Sequence, residues 1–349
     1  MLSLDLLAGF TIFLLALIMV VSMVPGLLAG LESSSIDYDA VAYRTGVILV
    51  EDPGWPVYPP WESYNEDQKE EIIRMGLAIS KDTPNILLST KVEKFFNRTF
   101  FDDDDYRNKA IFGDIPYSYN FSLNISNPDG TYELKQTGSP MPPGYGYIRR
   151  VVKIKEPGVA EIDESFKDQY TISDPPGDEG SSTARNFTAR LDFSHLLDPA
   201  INPIYQIDPR TEPVNVTITD FGGYLNGTYE NATLANVTTS WKAGRDFPPV
   251  SLPWLSFSEE KPDSYTLYLD GDSHNLTPNT SVNSSISLVL KPAAISPLLL
   301  DQNSILDIRF NFDDDPPRTN ITGTHLYDYN ATNVTHLDLK TAVLEVAIW

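Results

Sequence analysis

The sequence predicts an α+β protein, a long apolar N-terminal helix followed by a β-rich, sandwich-like globular head. Three observations carry that expectation. Residues 6–31 form a run of 26 without one charge. Beyond residue 115 the apolar residues change to alternation with period two, the spacing of half-buried strands. Turn residues then punctuate those short segments at intervals that suit a sandwich.

The opening MLSLDLLAGFTIFLLALIMVVSMVPGLLAGL holds an isolated acid, Asp5, and no lysine or arginine occurs before Arg44. As helix, the 26 uncharged residues reach about 39 Å, more than the ~30 Å hydrocarbon core of a bilayer. A secretory signal peptide needs a basic leader and a shorter apolar core. A simple signal anchor needs basic flanks. The third reading is a segment whose short basic leader has been cleaved off directly before the apolar helix. A carboxylate beside hydrocarbon costs about 2.5–3.5 kcal/mol unless paired, and the α-amino group of Met1, on the same or a neighbouring copy, is the expected partner of Asp5. The helix is expected to continue to Glu51. Ile36, Ala40, Tyr43, Val47 and Val50 make an apolar stripe, and Asp52-Pro53-Gly54 stops it. Such a helix is about 75 Å long. Pro25-Gly26 is expected to interrupt it.

After the proline- and aromatic-rich connector 53–60, residues 64–80 read as a helix with Asn65 as N-cap, and 85–97 and 102–113 as two short helices. YNFSLNIS (119–126) alternates Phe121, Leu123 and Ile125 with polar residues, NPDG turns, and TYELKQ returns. GYIRRVVKIK (146–155) follows as a strand. Residues 173–185 read as a linker, and seven strands come after it at 186–193, 214–221, 228–234, 264–270, 285–291, 305–312 and 342–349. In the last of these, Leu344, Val346 and Ile348 share one face. The expected domains are therefore a membrane or filament-core helix (1–51), a proximal head (52–172), and a glycan-rich strand region (173–349) whose last strand completes the head.

A formal charge of −23 argues against nucleic acid and anionic lipid as partners. The absence of cysteine excludes disulfides, thiolate metal sites and cysteine nucleophiles. The strongest signal is glycosylation. Of 21 asparagines, 14 stand in Asn-x-Ser/Thr, where composition gives roughly three by chance. They are Asn97, Asn120, Asn124, Asn186, Asn215, Asn226, Asn231, Asn236, Asn275, Asn279, Asn283, Asn320, Asn330 and Asn333. None lies in residues 1–96. Asn120 and Asn124 are expected to point outward, opposite Phe121, Leu123 and Ile125, and Asn215 opposite Val216 and Ile218. N-linked glycans on this pattern imply a head outside the cell.

Signs of catalysis are few. The four histidines, His195, His274, His325 and His336, have no zinc or metalloprotease spacing. Ser194, His195 and Asp198 put triad residue types together without a nucleophile elbow. No enzyme activity and no cofactor are expected. Calcium is the candidate cation for the acidic loops Asp102–Asp105, Asp270-Gly271-Asp272 and Asp313–Asp315, although no EF-hand glutamate follows Asp270 and Asp272.

The pieces SLDLLAGFTIFLLALIMVVSMVPGLLA (3–29), RTGVILVEDPGW (44–55), IRMGLAISKDTPNILLSTKVEKFF (73–96), YRNKAIFG (106–113) and AVLEVAIW (342–349) resemble a family of archaeal type IV pilin-like surface proteins known from haloarchaea and methanogens. Type IV pilins usually carry glutamate at the fifth position of the processed chain, and Asp5 is the matching acid here. The resemblance covers the first 155 residues and the last strand. Residues 157–335, with eleven of the sequons, lie outside it. It implies a structural subunit of an extracellular filament that self-associates through the apolar helix, with Met1, Asp5, Pro25 and Gly26 in the assembly region. The implied role is adhesion or cell contact, and the implied location is the cell surface, with insertion in the membrane before assembly. The alternative is a membrane-anchored surface glycoprotein, or minor pseudopilin, that does not polymerise.

Overall fold

A computed structural model of the chain describes residues 4–33, 37–113, 115–163, 185–243, 250–251, 257, 261–273, 280–298, 300–313, 318–329 and 335–349. The chain begins with two helices, α1 (Leu4–Ser33) and α2 (Tyr38–Glu51), which corrects the expected single long helix. Asp37 starts α2 afresh, its carboxylate accepting from the Ala40 amide at 3.0 Å. The serine-rich sequence ahead of it favours caps over helix interior. Among the described residues no helix is long and apolar enough to cross a membrane, which also corrects the transmembrane helix expected here. The part of α1 with described side chains, Gly9–Met23, covers about 22 Å, short of the ~30 Å hydrocarbon core. Its backbone runs through Pro25 and Gly26 without the expected interruption.

The strands in chain order are β1 (Ile86–Leu88), β2 (Tyr119–Ser126), β3 (Tyr132–Gly138), β4 (Gly146–Lys155), β5 (Val159–Ile162), β6 (Arg185–Asp192), β7 (Val214–Ile218), β8 (Ala232–Ala243), β9 (Val250–Ser251), β10 (Tyr265–Leu269), β11 (Asp272–Ser273), β12 (Thr280–Val282), β13 (Ile286–Leu290), β14 (Ser304–Phe312), β15 (Gly323–Leu326), β16 (Thr335–His336) and β17 (Leu339–Ile348). They form three mixed sheets.

A proximal lobe is built on the sheet β1-β4-β17-β2-β3. Its central strand, β17, pairs antiparallel with β4 on one side and β2 on the other. Leu344, Val346 and Ile348 are buried there as their alternation predicts. Against this sheet lies α2, whose buried face is Ala42, Thr45, Gly46, Leu49 and Val50. That face is rotated from the expected stripe, and Tyr43 is exposed. The reason is close approach: a Cβ on Gly46 would sit 2.8 Å from Ile148 Cγ2, so the smallest residue, not the largest, marks the contact.

All three helices expected after the connector are shorter than read. Asn65 does cap, in a capping box with Gln68, but only a 3-10 segment Glu66–Glu71 follows. The chain then turns extended, bridging Trp55 to Arg74 and Ala78 to Leu87. Gly76 lies so close to the Asp52 carbonyl that no side chain fits. The next segment opens as β1 before α3 (Ser89–Phe95), and α4 (Asp103–Tyr106) leads into a wider turn at 107–111.

The outer lobe is a sandwich of β11-β10-β13-β7-β5-β16 over β12-β8-β14-β6-β15, with β9 added beside β8. One shared core fills it, including Val214, Val216, Ile218, Leu288 and Leu290 from one sheet and Phe187, Leu191, Leu306, Ile308 and Phe310 from the other. Short helices α5 (Phe193–Leu196) and α6 (Pro292–Ile295) close its ends. Strand β5 belongs to this sandwich, so sheet membership changes at Pro157, earlier than residue 173. The chain leaves the proximal lobe after Glu156 and returns at Asp338, and the Glu156 amide donates to the Asp338 carbonyl at 3.1 Å. The outer lobe is thus an insertion between β4 and β17, entering and leaving at one point.

Candidate assembly and glycan-bearing surfaces

All 15 positions of α1 with described side chains, Gly9 to Met23, are exposed. Eleven of them are large apolar residues, among them Phe10, Phe13, Leu15 and Ile18. Fully burying such a side chain is worth about 1.5–3 kcal/mol, so this face holds on the order of 20 kcal/mol of unrealised burial. A helix apolar all round is one that belongs inside something. The Asp5 side chain and Met1, the expected pair, lie outside the described residues, as do the side chains of Pro25 and Gly26.

Ten of the 14 sequon asparagines have described side chains, while Asn275, Asn279, Asn330 and Asn333 lie outside them. Asn97, Asn124, Asn236 and Asn283 are exposed, and Asn186, Asn215, Asn226, Asn231 and Asn320 are half-buried. Asn120 is buried, which corrects the outward position expected for it. Its amide donates to the Ser139 carbonyl at 2.8 Å and its oxygen accepts from Gln136 at 3.0 Å, because β3 and the following loop close over that end of β2. Asn124 sits on the open face of the proximal sheet, level with Val343 of β17 and Leu134 of β3, and Val151 of β4 continues the row beyond Val343. Leu134 and Val151 are strongly exposed.

The acidic loops are engaged by protein donors. Asp102 and Asp105 cap α4 reciprocally, and Asp105 also lies 2.6 Å from Lys69 and 2.8 Å from Lys109. Asp270 accepts from the amides of Asn283, Ser284 and Ser285 and from the Ser284 hydroxyl, clamping the turn into β13. Asp313 is exposed, and Asp314 and Asp315 lie outside the described residues. Among the described residues no group of three or more acidic or histidine side chains could hold a metal ion. The hydroxyl of Ser194 donates to Asp192 at 2.6 Å as part of the α5 cap, and the Asp198 carboxylate accepts from the Ala200 amide. His195, Ser194 and Asp198 therefore serve local turns rather than one another.

The junction between the lobes holds residues that local sequence patterns did not mark. Lys155, at the end of β4, and Glu212, ahead of β7, are both buried and pair at 2.9 Å. Lys155 also donates to the Gln206 carbonyl, and Glu212 accepts from the Asp208 amide. Nearby, the Tyr58 hydroxyl donates to Asp208, which is held by Arg210. Lys91, buried in α3, donates to the carbonyls of Pro53 and Ala78, and burial holds its ammonium below the ordinary lysine range. Alternation gives no signal for Lys155: it shares the outward parity of Val151 and Lys153, opposite the buried Val152 and Ile154, and is buried because residues of the outer lobe lie against the end of β4.

No protein-family model matches the chain, and no solved structure matches it. A protein of Archaeoglobus fulgidus, itself named only as uncharacterized, is 46% identical over 82 residues, which cover 22% of this chain and 40% of that protein. The match thus spans well under half of that relative's length, and what it contributes is an archaeal relationship for part of the chain.

Proposed function

We propose that the chain is a glycosylated subunit of an extracellular filament on an archaeal surface, self-associating through α1 and serving adhesion or contact between cells. The observation that carries this reading is the apolar helix exposed at every described position from Gly9 to Met23. Packing copies of α1 together gains enough burial to exceed the ~4–15 kcal/mol that association costs. The sequon-bearing lobes then face outward, where glycans and a charge of −23 keep filaments soluble and apart. Asp5 supplies register by pairing with a positive group of a neighbouring copy, since an unpaired charge among apolar side chains costs several kcal/mol. The test is electron microscopy and sedimentation of cells and purified chain carrying Asp5→Ala or Ile18→Asp. Both variants should leave the lobes folded by circular dichroism and abolish filaments. Filaments of normal number and length from both, or a wild-type chain that never associates, would overturn the reading.

A further inference from the structure

Between the lobes lies a cavity of about 650 Å³, inside the ~300–1,000 Å³ range usual for small-molecule sites. Its proximal wall comes from residues 60–66 and from α3. Its outer wall includes Asn215 of β7 and its strand partner Val289 of β13. Three lining side chains, from three separate segments, hold buried oxygens with no partner from another described residue: both carboxylate oxygens of Glu62, the hydroxyl of Thr90, and the amide oxygen of Asn215. Buried acceptors are almost always satisfied, so four unmet oxygens on three side chains around one cavity point to a ligand that brings donors.

The charges say which ligand. Glu66 and Asp263 in the lining are matched by Lys94 and Lys291, and each lysine already donates to a main-chain carbonyl, of Tyr64 and Pro262 respectively. Burial pushes the Glu62 carboxyl above its ordinary range, with Lys91 and Lys94 opposing. An anion therefore finds both lysines of the lining already engaged, whereas a neutral molecule rich in hydroxyls finds acceptors. The prolines of the lining and Phe100 supply apolar surface for the C–H faces of a ring.

We propose that the inter-lobe cavity is a saccharide site, taking neutral sugar residues whose hydroxyls donate to Glu62 and Asn215 and bond to Thr90. Two sources share that chemistry. Asn215 heads the sequon Asn215-Val216-Thr217, so the sugar is either the base of a glycan carried on its own Nδ2 or a sugar arriving from solution or another glycan. The first source rests on the glycoprotein reading above, and the second does not.

Two arms separate them. In the first, chain made in a host without N-glycosylation is titrated with N-acetylglucosamine and glucose, and with glucuronate and glucosamine as charged controls, by saturation-transfer NMR and thermal unfolding. The neutral sugars should bind and raise the unfolding midpoint. Glu62→Leu should weaken them about tenfold or more, the loss of a buried hydrogen-bonding group. Asn215→Gln, which removes the sequon and keeps an amide oxygen, should still bind them. In the second arm, chain from native cells is treated with mild periodate, and glycopeptides at Asn124, Asn215 and Asn283 are compared. A glycan seated in the cavity survives at Asn215 while those at the exposed sites are oxidised. Absence of neutral-sugar binding to the bare chain, together with an Asn215 that is bare or oxidised like the others, overturns the proposal. Bare asparagines throughout, with sugar binding retained, would count against the glycoprotein reading alone.

Discussion

Lys155 has no exposed surface and sits where β4 hands the chain to the outer lobe. Removing its charge strands the Glu212 carboxylate in a dry junction, and breaking a buried pair in this way costs about 3–5 kcal/mol. Lys155→Met should therefore lower the unfolding midpoint sharply in thermal denaturation, and Lys155→Met/Glu212→Gln should recover most of the loss, because the amide still accepts from Asp208. A double variant as unstable as the single one would show that the lysine acts through packing alone. His325 is also fully buried, beside Tyr327 with ring centroids 6.2 Å apart, and burial holds its pKa down at about 4. The unfolded histidine titrates near 6.5, so between those values the unfolded chain binds the extra proton and acid favours unfolding. Its contribution is whole above the unfolded value and falls as pH drops toward about 4, by up to about 3 kcal/mol. The stability difference between wild type and His325→Leu, followed by urea denaturation from neutral pH down to 4.5, should shift in favour of the variant as acid is added. A difference independent of pH would mean that His325 takes up its proton alike in the folded and unfolded chain, and that burial does not hold its pKa down.

Elements show where sequence patterns are trustworthy. Period-two alternation located β2, β4, β7, β10, β13, β14 and β17, because a half-buried strand writes its two faces directly into the chain. Helices were less legible. The α2 face turned on Gly46 and Thr45, which an apolar stripe passes over, and the segment after Asn65 had helical composition but was held extended against Asp52 and Trp55. The buried Asn120 was misread because strand parity cannot foresee a loop folding over a strand's end. Neither Lys155–Glu212 nor the trio Glu62, Thr90 and Asn215 could be read locally, since each joins segments distant in sequence. One sheet face yields a prediction of its own. Val151, Val343 and Leu134 form an apolar row interrupted by Asn124, and β3 is an edge strand. A glycan on Asn124 would shield that row and the open edge from pairing with another sheet. Asn124→Gln in the native host should increase hydrophobic-dye binding and disordered aggregation, measured by fluorescence and light scattering. Unchanged values from chain that carries a glycan at Asn124 in wild type would sink the shielding role.

At the scale of the molecule, the outer lobe enters and leaves the proximal lobe through neighbouring backbones, Glu156 and Asp338, which also bracket a 2.9 Å Glu156–Lys340 ion pair. Loop closure there is already made by the proximal sheet, so replacing residues 157–337 with a short glycine-serine linker should leave a folded proximal lobe, at the cost of exposing Lys155 to water. Two-dimensional NMR showing dispersed amide signals would support this, and a collapsed spectrum would mean that the lobes fold only together. The central place of β17 has a consequence for the order in which the protein is made. A ribosome delivers β1 to β4 first, then the whole outer sandwich, and only then the strand that separates β4 from β2. Until that moment the proximal lobe is two unjoined halves, β1 with β4 and β2 with β3, each with an open edge. Contacts of such sequence separation form late, so α2 has no completed sheet to rest on until the outer lobe has been synthesised. A copy stalled within the sandwich can therefore never present a finished proximal lobe, and completion of that lobe is timed by the arrival of a single strand.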